Sequence, residues 1–243
     1  MARRAAVQRT GDARETDAKY SDMSDEGQPD QFSEADRNAV YRAIRERRDM
    51  RHFRPEPVDE QIMQRLLEAA HQAPSVGLMQ PWRFIRIMDR GLRLKIHDLV
   101  EQERLLTADA LGPAQEAFLR LKVQGVLDCA EVLVAALPDG RERHIFGRRT
   151  LPEMDLASVS CAIQNLWLAA RVEGLGMGWV SFFDPAALAN LLAMPAGSKP
   201  VAILCLGYVS EFYPAPLLEL QNWTTRRPLR ELVFHNRWGQ IDE

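Results

Sequence analysis

Apolar and polar positions alternate with helical period over most of the chain and with strand period in a few dispersed segments, an α+β pattern. Residues 1–32 carry too few apolar side chains to offset the entropy of ordering, so they are expected to form a flexible tail ahead of a single domain, 33–243. Ser33 followed by Asp36 has the spacing of a capping arrangement, with Asp in place of the usual Glu. It opens a helix to about Arg48, with Val40, Ala43 and Ile44 on the buried side. Pro55 and Pro57 must break that helix. Asp59 is placed to cap a second helix through about His71, with Ile62, Leu66, Ala69 and Ala70 at helical spacing.

Trp82 to Met88 reads as a strand. A charged helix from about Arg90 to Leu106 is interrupted near Gly112 and Pro113, and a further helix runs to about Leu127. Glu131 to Leu137 reads as a buried strand, and the polar stretch Pro138 to Pro152 as a long mobile loop. Met154 to Glu173 is the strongest helix, apolar on most sides, as expected of a central helix or one shared with a partner subunit. Gly174, Gly176 and Gly178 lead into a strand, Trp179 to Phe183. Asp184 and Pro185 start a short helix to about Leu192, Pro200 to Val209 is another strand, and an extended arm follows from Glu211.

Composition narrows the function classes. A net charge of -3 gives no global attraction to nucleic acid, so any anion site must be local. Cys129, Cys161 and Cys205 are scattered without a CxxC, each among apolar residues. That disfavours a disulfide framework or zinc site and predicts buried packing for all three in a reducing compartment. No apolar run approaches the ~20 residues of a spanning helix, and no apolar stretch follows the N-terminal arginines, so a soluble cytoplasmic protein is expected. GxxxxGK[ST], GxSxG and HExxH are all missing from the sequence. The run Gly174-x-Gly176-x-Gly178 follows a helix and precedes a strand, the inverse of a dinucleotide fingerprint. Its glycines are read as ending the helix and letting backbone pass close to something flat.

Candidate chemistry gathers first at Glu46 to Arg51. Arg47, Arg48 and Arg51 put three guanidinium groups within five residues, and Arg47 and Arg51 would share one face if the helix continued. Each offers a planar fork of donors suited to phosphate or carboxylate. Asp49, inside the cluster, is either a neutralising partner or a reactive group. The loop from Ala73 to Trp82 combines polar Ser75 and Gln80 with Gly77, Met79 and Trp82. It suits either the rim of a flat heteroaromatic ligand or a tight helix-to-strand connection.

Taken in order, Arg47-Arg48-Asp49-x-Arg51, Ala73-Pro74-Ser75 with Gln80-Pro81-Trp82, Gly176-x-Gly178-Trp179 and Arg226-x-Pro228-Leu229 resemble the nitroreductase superfamily of FMN proteins, from about residue 35 to the end. The resemblance implies a central mixed or antiparallel sheet surrounded by helices, and a C-terminal arm reaching a partner subunit. It also implies a homodimer with FMN at the subunit boundary. Arg47, Arg48, Arg51 and Arg226 would anchor the phosphate and the pyrimidine edge, with Asp49, Met50, Ser75, Gly77, Met79 and Ser181 completing the flavin contacts. Ordinary nitroreductases commonly carry Ser or Thr where this chain has Asp49, and often Asn near Leu78.

The wording VGLMQPW and MDLASVSCAIQNLWLAARVEGLGMGWVSFF instead resembles the branch that makes 5,6-dimethylbenzimidazole, the lower ligand of cobalamin, by oxygen-dependent destruction of reduced FMN. On that resemblance FMNH2 is substrate as well as ligand, O2 is co-substrate, no metal takes part, and a separate NAD(P)H:flavin reductase supplies the reduced flavin. Asp49 would position or deprotonate the ribityl carbon C1′, and stays ionised because the arginines lower its pKa. Ser181 would exchange a proton with flavin N5, and the stretch around Gly112-Pro113 would act as a lid. The structural alternatives are an ion pair for Asp49 and a plain strand serine for Ser181. The functional alternatives are an NAD(P)H-dependent nitroreductase or quinone reductase that retains its flavin, and a non-catalytic flavin-binding protein.

Overall fold

Two neighbouring strands that are apolar at nearly every position require cover on both faces, and they form the centre of the fold. A computed structural model describes residues 31–122 and 124–240, so the expected tail lies outside the described residues apart from Gln31 and Phe32. The chain divides after Val40. In the first unit, Ser33 Oγ accepts from the Asp36 main-chain N–H at 3.2 Å and donates to its carboxylate at 2.6 Å, realising the expected cap of helix α1 (Glu34–Glu46). No residue of α1 is buried, so the buried face expected of Val40, Ala43 and Ile44 does not form among the described residues.

The second unit, Tyr41–Glu243, holds an antiparallel sheet of strands β1 (Arg83–Arg86), β2 (Glu131–Leu137), β3 (Leu175–Val180) and β4 (Lys199–Tyr208), in the order β1-β2-β4-β3. Helices α2 (Glu60–His71), α3 (Arg90–Ala110), α4 (Gln115–Leu119), α5 (Met154–Val172), α6 (Pro185–Leu191) and α7 (Leu217–Leu220) surround it. Alternation along the strands sends Leu133, Ala135, Leu204 and Leu206 to one face, against Met63 and Leu66 of α2 and Ile163 and Leu166 of α5. Val132, Val134, Ile203 and Cys205 face the other way, against Ile96 and Val100 of α3 and Leu188 of α6. Asp59 and Asp184 cap α2 and α6 as expected, accepting from the Gln61 and Ala187 amides at 2.8 and 2.6 Å.

Several expectations are corrected. The helix following Pro113 ends at Leu119 instead of Leu127. Gly174 precedes β3 as expected, with φ of 78°, but Gly176 and Gly178 lie inside that strand, which ends at Val180 and leaves Ser181 beyond it. The stretch 138–152 is pinned and not loose. Asp155, 5% exposed, accepts from Arg141 Nε and Arg148 Nη2, both at 2.9 Å, and the two guanidiniums also reach main-chain carbonyls of Gly197 and His144. Cys129 and Cys205 are buried, but Cys161 sits on the outward face of α5 and is exposed. The arm from Glu211 is broken by α7.

Candidate functional site

Helix α1 stops at Glu46 because the next residues are captured by β3. Asp49 forms a parallel bridge with Met177, and the Met50 N–H donates to the Met177 carbonyl at 2.9 Å. Arg47 and Arg51 are therefore not on one helical face. The side chains of Arg47, Arg48, Asp49 and Arg51 line a cleft, and the Met50 side chain, 1% exposed, goes into the core. The glycines of β3 permit this approach. A Cβ on Gly178 would lie 2.4 Å from the Met50 carbonyl oxygen, and one on Gly176 would lie 2.5 Å from Val209 Cγ1. What passes close to them is the chain's own arginine segment.

Asp49 is held at two points. Its Oδ1 accepts from the Trp179 main-chain N–H at 3.0 Å, and its Oδ2 pairs with Arg51 Nη2, which also donates to the Trp179 carbonyl at 3.1 Å. Its side chain keeps 41% of its surface, but that surface opens into the cleft Asp49 lines. Burial pushes its carboxyl pKa up, outweighing the downward pull of Arg51, the Trp179 amide and Arg47. This reverses the expectation of a lowered value, because desolvation at the cleft floor exceeds the neighbouring positive charge. Arg47 lies 4.5 Å over the Trp167 ring, and Arg48 donates to the carbonyls of Arg45, Arg47 and Pro214 at 2.7, 2.8 and 3.1 Å. Arg48 Nε and Arg51 Nη1 are buried without a hydrogen-bond partner. A buried unsatisfied donor costs roughly 1–3 kcal/mol, so the segment is seated on β3 at some expense.

The cleft has a volume of about 640 Å³. Its cationic end is Arg47, Arg48, Arg51 and Arg226; its apolar end includes Leu111, Phe118, Phe182 and Trp223. Phe118 stands 5.8 Å from Phe182 and 6.2 Å from Trp223, ring centre to ring centre. With Ala108, Leu111 and Leu121 these rings form a small cluster of their own, roofing the cleft. One end for an anion and one for a flat ring suit an aromatic ligand carrying a phosphate.

Of the residues singled out in the sequence, Arg47, Arg48, Asp49, Arg51 and Arg226 converge here. Met50 lies beneath them in the core. Ser181 is exposed, two residues past Trp179, while its neighbour Phe182 lines the cleft. Ser75, Gly77 and Met79 lie elsewhere. Their loop is tied to the start of α5, where the Val76 N–H donates to Ser158 Oγ at 3.1 Å, whereas the arginine segment meets α5 at Trp167, whose Nε1 donates to the Arg48 carbonyl at 3.2 Å. At 1.5 Å per residue those two anchors are separated by about 13 Å along the helix. Gly77, Leu78 and Gln80 have φ of 53°, 52° and 47°, a tight left-handed path closed by the Gln80 N–H on Ser75 Oγ at 3.0 Å. Trp82, in the loop read as either a ligand rim or a helix-to-strand connection, is 6% exposed and donates to His71 Nδ1 at 3.4 Å, so it belongs to the core. Phe118, Trp223 and Glu219 were not legible beforehand; isolated residues beside turns carry no periodic signal.

The profile of the nitroreductase family matches residues 44–208, the span from the end of α1 through the last strand. The chain belongs to this family. This nitroreductase-family chain is 42% identical over 200 residues to the 5,6-dimethylbenzimidazole synthase of Rhodospirillum rubrum, covering 81% of this chain and 94% of that protein. It is 38% identical over 200 residues to a protein of the same name from Rhodobacter capsulatus, covering 81% and 96%. Among solved structures, a BluB-like flavoprotein from Clostridium difficile superposes with a TM-score of 0.64 at 18% identity, over 82% of this chain and 99% of that one. Iodotyrosine deiodinase bound to FMN and 3-iodo-L-tyrosine gives 0.63 at 21% identity, over 83% and 100%. At those identities the structures establish the nitroreductase fold. Among the described residues, no group of His, Cys, Asp and Glu is arranged to hold a metal ion, and no helix is long and apolar enough to cross a membrane.

Proposed function

We propose that this chain is an enzyme forming 5,6-dimethylbenzimidazole, the lower ligand of cobalamin, by oxygen-dependent fragmentation of reduced FMN. The curated relatives bearing that synthase name support the product. The observation that carries the reaction class is Asp49, a carboxylate fixed by the Trp179 amide and Arg51 inside a cleft lined by four arginines. A carboxylate so fixed is placed to accept the proton that breaking a carbon skeleton releases.

When both are bound, reduced FMN would supply the carbon skeleton and O2 the oxidising equivalents. Arg47, Arg48, Arg51 and Arg226 hold the phosphate and the pyrimidine edge. Asp49 takes a proton at the ribityl C1′, and its raised pKa makes it a stronger base than a surface aspartate. Ser181 offers its hydroxyl to N5. Phe118, Phe182 and Trp223 keep water off the ring.

Ser75, Gly77 and Met79 reach the flavin from a second copy of the chain. The outward stripe of α5, with Met154, Ala157, Cys161, Leu168 and Val172 at helical spacing, forms the homodimer face, and the C-terminal arm extends toward the partner. The reductant comes from a separate NAD(P)H:flavin reductase in the cytoplasm. The test mixes the protein with chemically reduced FMN in air and looks for dimethylbenzimidazole by mass. Product without added nicotinamide supports the reading; oxidised FMN and hydrogen peroxide alone overturn it.

A further inference from the structure

Two carboxylates line the cleft, and the flavin reading above uses only one of them. Glu219, on α7, is the other, facing the same space as Arg47, Arg48, Arg51, Lys122 and Arg226. Asp49 is committed to Arg51 and the Trp179 amide. Glu219 is held differently. Its Oε1 accepts the Arg226 main-chain N–H at 3.1 Å, while the Arg226 Nε stands 3.9 Å away, within ion-pair range but beyond a hydrogen bond. The Glu219 side chain is 29% exposed and the Arg226 side chain 75% exposed, so one partner is fixed and the other free to swing. Arg226 is also close enough to Arg47 to disfavour the charge on it, which places the guanidinium at the cationic end of the cleft.

We propose that Glu219 is a positioning and affinity-setting residue that stands in for the ligand's phosphate at Arg226. Its main-chain contact orders the turn that carries Arg226, and its charge holds the guanidinium loosely until a phosphomonoester arrives. The arginine then moves from carboxylate to phosphate, and Glu219 keeps the main-chain N–H throughout. A loose exposed pair is weak, so it yields to a dianion with better geometry. The swap lowers affinity for a phosphorylated flavin and leaves an unphosphorylated one unaffected. Such tuning suits a ligand that is consumed and must be replaced at every turnover. The inference rests on the flavin reading of this cleft.

The test uses Glu219→Gln, whose amide oxygen still accepts the Arg226 N–H while the charge is removed. Binding of oxidised FMN and of riboflavin is followed by quenching of flavin fluorescence. The dissociation constant for FMN is expected to fall about three- to fivefold, the upper scale of one exposed ion pair released from competition. Riboflavin is expected to change by less than about twofold. Inorganic phosphate, as a second measurement, should displace FMN from the parent at higher concentration than it occupies the variant's anion site. In an Arg226→Gln background the gain from Glu219→Gln should shrink below about twofold, since the swap has lost its mobile partner. Unchanged or weaker FMN binding, an equal shift for riboflavin, or the full gain persisting without Arg226 overturns the proposal. A parent that binds riboflavin as tightly as FMN overturns the phosphate reading of the cleft itself, a separate and distinguishable failure.

Discussion

Replacing Gly178 by Ala should damage fold and site together, because the glycine is where the sheet and the arginine segment touch. The added Cβ would lie 2.4 Å from the Met50 carbonyl oxygen and 2.9 Å from Arg51 Nη1. Carbon and oxygen do not approach closer than about 3.0 Å in packed proteins, so backbone must retreat by at least about 0.6 Å. The same shift applied to the 2.9 Å bond from the Met50 N–H to the Met177 carbonyl takes it to the edge of a hydrogen bond. Overpacking of this kind costs about 1–3 kcal/mol and a weakened backbone bond about 1 more, or roughly 2–4 kcal/mol together. In a domain of this size that lowers Tm by about 4–16 °C. Because Asp49 and Arg51 move with Met50, FMN affinity should fall too. Gly174→Ala is the control: φ there is 78° and nothing lies within 4 Å of its Cβ position, so only about 1 kcal/mol of backbone strain and no loss of FMN binding is expected. Differential scanning calorimetry with FMN titration reads both. A Gly178→Ala protein with parental Tm and parental FMN affinity would show that the arginine segment is not seated on β3.

Asp49→Asn should bind FMN yet form no dimethylbenzimidazole; product at the parental rate by mass would return Asp49 to an ion-pair role. The folded carboxyl is raised above the ordinary 3.8, so the parent binds this proton more tightly folded than unfolded, and stability falls as pH rises from about 3.8 through the folded value. Asp49→Asn lacks that slope, and urea titrations across the window should show its stability gaining on the parent's as pH rises. Asp155→Asn leaves Arg141 and Arg148 without their shared carboxylate, at about 3–5 kcal/mol for breaking a buried ion pair, or a Tm lower by about 6–20 °C. Arg226→Ala should weaken FMN binding by about 1.5 kcal/mol, roughly tenfold, the low end for a bond to a charged group because the side chain is exposed. Cys161 should react quickly with a bulky maleimide when dilute and slowly at concentrations where sedimentation detects a dimer; equal rates would remove α5 from the dimer face.

Segments whose conformation is decided locally were legible in the sequence. The run Glu131–Leu137 is apolar enough to be buried as a strand at every position, and Asp59 and Asp184 cap helices through their own side chains. What escaped was settled by distant partners. Helical continuation through Arg51 lost to a backbone pairing with Met177, far along the chain, and no local propensity encodes that. Arg141 and Arg148 looked like loop solvation until Asp155, at the start of the next helix, supplied a buried partner. The arginines of the site were readable as an anion cradle because their chemistry is explicit. The apolar half of the cleft is built from aromatics on three separate segments and was not. Burial of Asp49 also outweighed the nearby positive charge, a balance that depends on depth and not on residue type.

The aromatic roof has a consequence for how the cleft opens. Phe118 and Trp223 belong to a cluster separate from the one that backs the sheet, so truncating either ring is expected to alter access to the cleft more than stability. Phe182 is the exception, since it packs against both the roof and the larger cluster around Val180 and Leu188. A change at that one ring would be felt at once as leakiness and as instability, which makes it the hinge pin between entry and endurance.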